Sequence, residues 1–341
     1  MNSSFLKMMV GKLRSGLDVS RDEAEPLLDA MISETDELLL ADTLRAWNAK
    51  GIAEEEIFET AKIMRSRMKR VRSRHDVFVD IVGTGGSKAK SFNVSTAAAF
   101  VVAGAGVPVA KHGNKAATSS SGSADVLAEL GVDPAVDPHT AERCLNEIGL
   151  CFMFAPNHHR LSPTLGKVRR GLGFPTIFNC VGPLCNPASA PHQLIGVWDK
   201  ELMPKMANAL ARLGTKRSWM VHGEDGLDEI SITGRTYVAE IEDGKVSSVE
   251  ITPDEFNIAT GNSEGIQART PMESASLIRE VLSGGCRETP AESIVLTNAA
   301  AAFYLAGCAA NIDDGYALAA DSIRSGSAIK KLEQLSEAVR K

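Results

Sequence analysis

VFVDIVGTGGSKAKSFNVSTAAAFVVAGAG, residues 77–106, joins an apolar, β-branched run (Val77 to Val82) through a cluster of glycines to an alanine-rich, helix-like segment. It reads as strand, glycine loop, helix. Moving outward, the same order returns: VPVA (107–110) precedes KHGN and the helical SADVLAELG, GLCFMFA (149–155) precedes a polar stretch, and WMVHG (219–223) precedes another loop. Strands alternating with helices of this length imply βαβ units, so the predicted class is α/β with a central, mainly parallel sheet. The segment GKVRRGLGFPTIFNCVGPLCNPA (166–188) breaks the alternation with Gly and Pro and reads as a connection crossing between domains.

In the other direction the pattern is helical throughout. Ser20 and Glu23 have capping-box spacing. Leu27, Leu28, Met31 and Ile32, then Leu38 to Leu44, then Ile57, Ile63 and Met64 recur at helical spacing, with Gly51 as a break. Residues 1–72 are therefore predicted as a small all-helical N-terminal domain and 73–341 as a large α/β domain. The basic run KRVRSR (69–74) between them reads as a solvated linker. A length of 341 residues suits that division, at about 100–200 residues per domain.

Hydrophobic residues at 44% and charged residues at 23% exclude disorder, and a net charge of −6 argues against a nucleic-acid or membrane partner. Cysteines at 144, 151, 180, 185, 286 and 308 form no C-x-x-C pair, which argues against structural zinc and for a reduced, cytoplasmic setting. The N-terminus has no apolar core with a small-residue cleavage site, and no stretch reaches the about 20 apolar residues of a membrane span.

Four groups of residues carry candidate chemistry. GTGG (83–86) ends a predicted strand and leads through SFNVST (91–96) into a helix, where backbone N–H groups, the helix N-terminus and the donors Asn93, Ser95 and Thr96 suit a phosphate. On its own the same text describes a tight turn with an N-cap. The spacing matches neither the GxGxxG pattern of a dinucleotide site nor the GxxxxGK(S/T) pattern of a Walker A loop, which disfavours both. KHGNKAATSSSGSADVL (111–127) adds Lys111, Lys115 and small donors on a second strand-to-helix loop, placing two anion-binding loops at the carboxyl ends of the strands. Asp228 and Glu229, adjacent in HGEDGLDEIS, are hard oxygen ligands suited to Mg²⁺ bridging to phosphates, although adjacent acids on a turn are commonly just solvated. His158, His159 and Arg169 would suit a small carboxylic acid.

Together, DIVGTGG, FNVSTAAAF, AKHGN, SGSADVL, TIFNCVGPLCNPA and DGLDEIS resemble the anthranilate phosphoribosyltransferase family, over nearly the whole chain from about Ser20 to residue 335. That family shares its fold with pyrimidine nucleoside phosphorylases. The resemblance implies a helical domain that dimerises, with a returning segment at about 166–190, hinged to an α/β domain that binds 5-phosphoribosyl 1-diphosphate (PRPP). The implied activity is transfer of the phosphoribosyl group to anthranilate, releasing diphosphate. By position, the resemblance assigns PRPP to Gly83, Thr84, Gly86, Ser87, Ser91, Asn93, Val94, Ser95, Thr96, Lys111, Ser119 and Ser123. It assigns anthranilate to Gly83, Asn114, His159, Arg169, Gly182 and Pro183, and Mg²⁺ to Ser95, Asp228 and Glu229. No catalytic nucleophile or base is implied, because positioning and metal assistance suffice.

The chain departs from the family pattern at Ser87 and Lys88 after GTGG, at Lys115 in KHGNK, in HRLSP (159–163), in KVR (167–169) and at Pro175. Several of these fall on the acceptor side. The alternative expectation is thus a same-fold phosphoribosyltransferase with a different small aromatic acceptor.

Overall fold

The computed structural model describes residues 2–87, 89, 91–116, 121–256 and 263–340. Four helices come first: α1 (Asn2–Arg14), α2 (Arg21–Ser33), α3 (Glu37–Lys50) and α4 (Glu54–Arg67). At the start of α2 the Glu23 carboxylate accepts from the Ser20 backbone N–H at 2.8 Å, half of the expected capping box. Gly51, at φ 88°, ends α3 at the break expected from the sequence.

The chain then enters a seven-stranded sheet of order β3-β2-β1-β4-β5-β6-β7. Its strands are β1 (Val79–Gly83), β2 (Val109–Gly113), β3 (Leu150–Phe154), β4 (His192–Gly196), β5 (Arg217–Gly223), β6 (Thr236–Glu242) and β7 (Lys245–Ile251). β1 to β5 run parallel, and β6 and β7 are antiparallel. Along β1 Ile81 enters one core and Val82 the other, and Leu194 and Ile195 of β4 divide the same way. A sheet buried on both faces needs continuous apolar runs, and that is why β1 and β3 are legible in the sequence.

Helix α5 (Val94–Gly104) and helices α12 (Pro271–Leu282), α13 (Pro290–Leu305), α14 (Ile312–Arg324) and α15 (Ser327–Ala338) cover one face. Helix α11 (Met203–Arg212) and the N-terminal helices contribute to the second core. The segment between β3 and β4 is helical rather than irregular: α8 (Ala155–His158), α9 (Pro163–Gly171) and α10 (Ile177–Leu184). There α9 packs on α3 and α10 on α4, so Leu165, Val168, Ile177 and Phe178 share a core with Leu40, Leu44 and Ile57.

Three strands escape the sequence reading. β4 opens with His192 and Gln193, which mask its apolar core, and β6 and β7 alternate polar and apolar residues around a Glu242-Asp243-Gly244-Lys245 turn. Asp243 and Gly244 both have positive φ there, 47° and 78°, the geometry of a two-residue hairpin.

Candidate active site

Where β1 ends, the chain turns through Gly85 and Gly86 at φ 63° and 98°, angles a side chain would strain. Thr84 anchors this turn: its N–H donates to Gly196 O at 2.9 Å, its hydroxyl accepts from Trp198 N at 3.0 Å, and its carbonyl accepts from Asn179 Nδ2 at 3.0 Å. Ser87 closes the loop by donating to Gly226 O at 2.8 Å. Asn93 precedes α5, its Oδ1 accepting from Ser121 Oγ at 2.6 Å and Ser274 Oγ at 3.0 Å.

Lys111 lies on β2 itself rather than on the loop that the sequence reading places after residue 110. Its side chain crosses beneath the glycine turn, and Nζ donates to Ile81 O at 2.5 Å and Ser95 Oγ at 3.2 Å. Burial pulls its ammonium down to about 8, against the attraction of Asp80 and Glu229. It is a fixed cation at the base of the site.

Asp228 and Glu229 follow β5. Burial, then repulsion from Asp228, pushes Glu229 up to about 8, while burial also raises Asp228. Glu229 Oε1 accepts from Ser95 N at 3.3 Å, so the acids and the start of α5 converge. Gly83 is small because Asp228 leans on it: a Cβ there would sit 2.9 Å from Asp228 Oδ2. Two half-desolvated carboxylates side by side repel each other, and a divalent cation with hard oxygen preference relieves both costs. The donor set fits Mg²⁺. Among the described residues no three His, Cys, Asp or Glu cluster at metal-binding distance.

A cavity of about 670 Å³ joins these groups. Gly83, Thr84, Gly86, Ser87, Ser91, Asn93, Ser95, Lys111, Asn114, Ser123, His159, Arg169, Gly182, Pro183, Asp228 and Glu229 all line it, so the structure gathers most of the predicted positions. Val94 and Thr96 are not on its wall; Val94 is fully buried in the core, and the Thr96 hydroxyl is buried without a hydrogen-bond partner among the described residues. Ser119 and Lys88 lie outside the described residues.

The two adjacent histidines separate. His158 turns away to the linker, its Nδ1 2.8 Å from Lys69 O, while His159 faces the cavity with Nε2 3.2 Å from His112 Nε2. Burial lowers both cavity histidines, His159 to about 4, so the pair is uncharged at neutral pH. Arg169 on α9 lies over the Phe178 ring at 4.8 Å, and its buried Nε has no partner among the described residues. Sequence reasoning missed His112, Asn179, Phe178 and Ser121. All four stand in quoted motifs, where KHGN, TIFN and SGSADVL carry the signal.

A family described as "Glycosyl transferase family, a/b domain" matches residues 75–329. The anthranilate phosphoribosyltransferase of Bradyrhizobium sp. (strain BTAi1) is 43% identical over 331 residues, 97% of each chain. Among solved structures, the anthranilate phosphoribosyltransferase of Thermus thermophilus is 37% identical, with a TM-score of 0.87 over 98% of this chain and 99% of that one. The Saccharomyces cerevisiae enzyme, solved in complex with PRPP and Mg, is 30% identical with a TM-score of 0.87 over 98% of both chains. With its glycine turn, buried lysine and acidic pair in one cavity and such relatives along its whole length, this chain belongs to the anthranilate phosphoribosyltransferase family.

Proposed function

We propose that the chain transfers the phosphoribosyl group of PRPP to anthranilate with Mg²⁺, releasing diphosphate, in tryptophan biosynthesis. The observation that carries this reading is the convergence of the glycine turn, Lys111, Ser95 and the Asp228–Glu229 pair on one wall of a cavity whose other wall holds Arg169 and uncharged histidines.

In the reaction the anthranilate nitrogen forms a bond to the anomeric carbon while the bond from that carbon to the diphosphate oxygen breaks, its electron pair leaving with diphosphate. The nitrogen then sheds a proton to solvent. Mg²⁺, when bound, spreads the negative charge that builds on diphosphate. The turn at Gly83–Ser87, with Ser91, Asn93, Ser95 and Ser123, offers backbone and side-chain donors to the phosphates, and Lys111 supplies the fixed positive charge. Val94 and Thr96 are left out of this set because their side chains are off the cavity wall. Asp228, Glu229 and the Ser95 hydroxyl would hold the cation.

Arg169 is suited to the anthranilate carboxylate, since it lines the cavity beside Phe178 with a buried Nε that no described residue engages. Asn114, Gly182 and Pro183 would complete that wall. An aromatic amine is neutral at pH 7, so the neutral His159 and His112 need only accept a hydrogen bond; a protonated pair would repel the cationic transition state. Catalysis then rests on alignment and leaving-group stabilisation.

The shared core of α9 and α10 with the first four helices supports treating residues 1–72 and about 166–190 as one body that dimerises, with 73–341 otherwise forming the phosphoribosyl-binding domain. Exposed Met8, Leu17 and Leu38 on that body, at 54%, 57% and 80%, support a homodimer face. Six free cysteines support a reduced, cytoplasmic location, and no helix among the described residues is long and apolar enough to cross a membrane.

The test is to mix protein, PRPP, Mg²⁺ and anthranilate and follow anthranilate fluorescence. Its disappearance with stoichiometric release of diphosphate is expected. Diphosphate release only with another aromatic acid would replace anthranilate as acceptor.

A further inference from the structure

Helix α13 is almost wholly apolar where it meets the sheet, running Ile294, Val295, Leu296, then Ala299 to Ala302 and Phe303, all buried. Asn298 interrupts it at 0% exposure. An amide so placed is costly unless every polar atom is satisfied. Asn298 Oδ1 accepts from Ile230 N at 3.1 Å, and Nδ2 donates to Ile230 O at 3.3 Å and to Ile294 O at 2.8 Å. The side chain thus pairs with both backbone groups of one residue, as a neighbouring strand would. Ile230 is the residue immediately after Glu229.

On the other side of the acidic pair, Asp225 accepts from Leu227 N at 3.1 Å and from the Ser231 and Thr233 hydroxyls at 2.6 Å each. Asp228 and Glu229 are therefore held between two clamps. In the proton-free form that would bind a cation the two carboxylates repel, and a turn able to yield would let them separate. What opposes that on the α13 side is Asn298.

We infer that Asn298 is a positioning residue for the divalent-cation site, acting through Ile230 to keep the Asp228 and Glu229 carboxylates at the spacing one ion can bridge. The inference rests on the reading of this pair as the metal site. Outer-layer partners of this kind are worth about 10–100-fold in metal affinity. Neither Ile230 nor Asn298 lines the cavity, so Asn298 changes the site only through the backbone.

The experiment uses the full chain with PRPP present and measures Mn²⁺ binding directly by electron paramagnetic resonance, with Mg²⁺ competing. Asn298→Ala should weaken Mn²⁺ by about 10–100-fold. Asn298→Asp is isosteric, keeps the acceptor for Ile230 N and loses the donor for Ile230 O and Ile294 O; it should fall between wild type and Ala. Thr297→Ala is the packing control: Thr297 is also buried and bonds only to its own helix at Ser293 O, 2.7 Å away. It should lower the melting temperature and leave Mn²⁺ affinity unchanged.

If Asn298→Ala does not fold, Asn298→Asp decides. Metal affinity equal to wild type in a folded Asn298 variant whose melting temperature has dropped would make Asn298 a packing device and overturn the inference. Failure of the wild-type chain to bind Mn²⁺ at all, with PRPP bound, would instead overturn the metal-site reading on which it rests.

Discussion

Gly196→Ala is a sharp test of the geometry, because it adds one methyl group at a place where the backbone itself permits alanine. Gly196 ends β4, pairs with Gly83 on one side and Val221 on the other, and its φ lies outside the left-handed region. The obstacle is only space: a Cβ would fall 1.6 Å from the Asp228 carbonyl oxygen, where 3.4 Å is the floor of ordinary contact, so the acidic turn must retreat by about 1.8 Å. The turn has little slack, since Ile230 is fixed by Asn298 and Leu227 by Asp225. A misplacement of about 1 Å is worth roughly 100-fold in rate, so kcat should fall at least that far. The Mg²⁺ concentration for half-maximal rate should rise. Overpacking should cost about 1–3 kcal/mol, a modest drop in melting temperature. The assay is the fluorescence decay of anthranilate across a Mg²⁺ titration, with calorimetry on the same samples. A folded Gly196→Ala enzyme with wild-type kcat and unaltered Mg²⁺ dependence would refute the claim that Asp228 is seated against β4.

Three other perturbations separate the parts. Arg169→Ala should raise KM for anthranilate far more than KM for PRPP, measured in paired titrations; equal increases would remove Arg169 from the acceptor wall. His159 lies at about 4 in the folded chain against 6.5 unfolded, so the unfolded state binds protons first. The stability it contributes is intact above pH 6.5 and is lost as pH falls toward 4, worth about 3 kcal/mol for this buried ring. Asp80, raised to about 6 by burial, works in the opposite direction below that pH. The contribution of His159 is therefore read as wild type minus His159→Gln in urea unfolding at about pH 7 and about pH 5, on either side of the unfolded histidine's titration; parallel losses in both proteins would contradict it. Finally, Arg65 gives Nε to Leu184 O at 2.6 Å and Nη1 to Leu213 O at 2.9 Å, tying α4 to the ends of α10 and α11. Arg65→Ala should cost about 2–3 kcal/mol with kcat retained, and an unchanged melting temperature would count against this clamp.

What the sequence reveals follows from how much each element depends on its own residues. β1 and β3 are buried on both faces and so read as apolar runs, whereas β4 carries Gln193, which donates to Pro183 O, and β6 and β7 form a partly exposed edge. The glycine turn and acidic pair are visible because each is a compact run of neighbouring residues that stands out in the local sequence. The partners of those residues are not: the pairing of Asn298 with Ile230 spans 68 positions, and nothing local in an alanine-rich helix announces it. Val94 and Thr96 show another limit, since a motif gives the order of residues and not which side chains face the core and which the cavity.

The alternation along β1, with Ile81 in one core and Val82 in the other, has a consequence for how this scaffold can change. Helix α5, which follows the glycine turn, rests on the core that Ile81 joins, whereas Phe178 and the helices carrying Arg169 and Pro183 rest on the core that Val82 joins. The two walls of the cavity thus have largely separate foundations, joined where Asn179 of α10 donates to Thr84 O. Drift in the second core can therefore reshape the wall that carries Arg169 and Pro183 while α5 keeps its footing. A lineage of this fold could exchange its aromatic acceptor by accumulating ordinary packing changes, without passing through a form unable to bind the sugar phosphate.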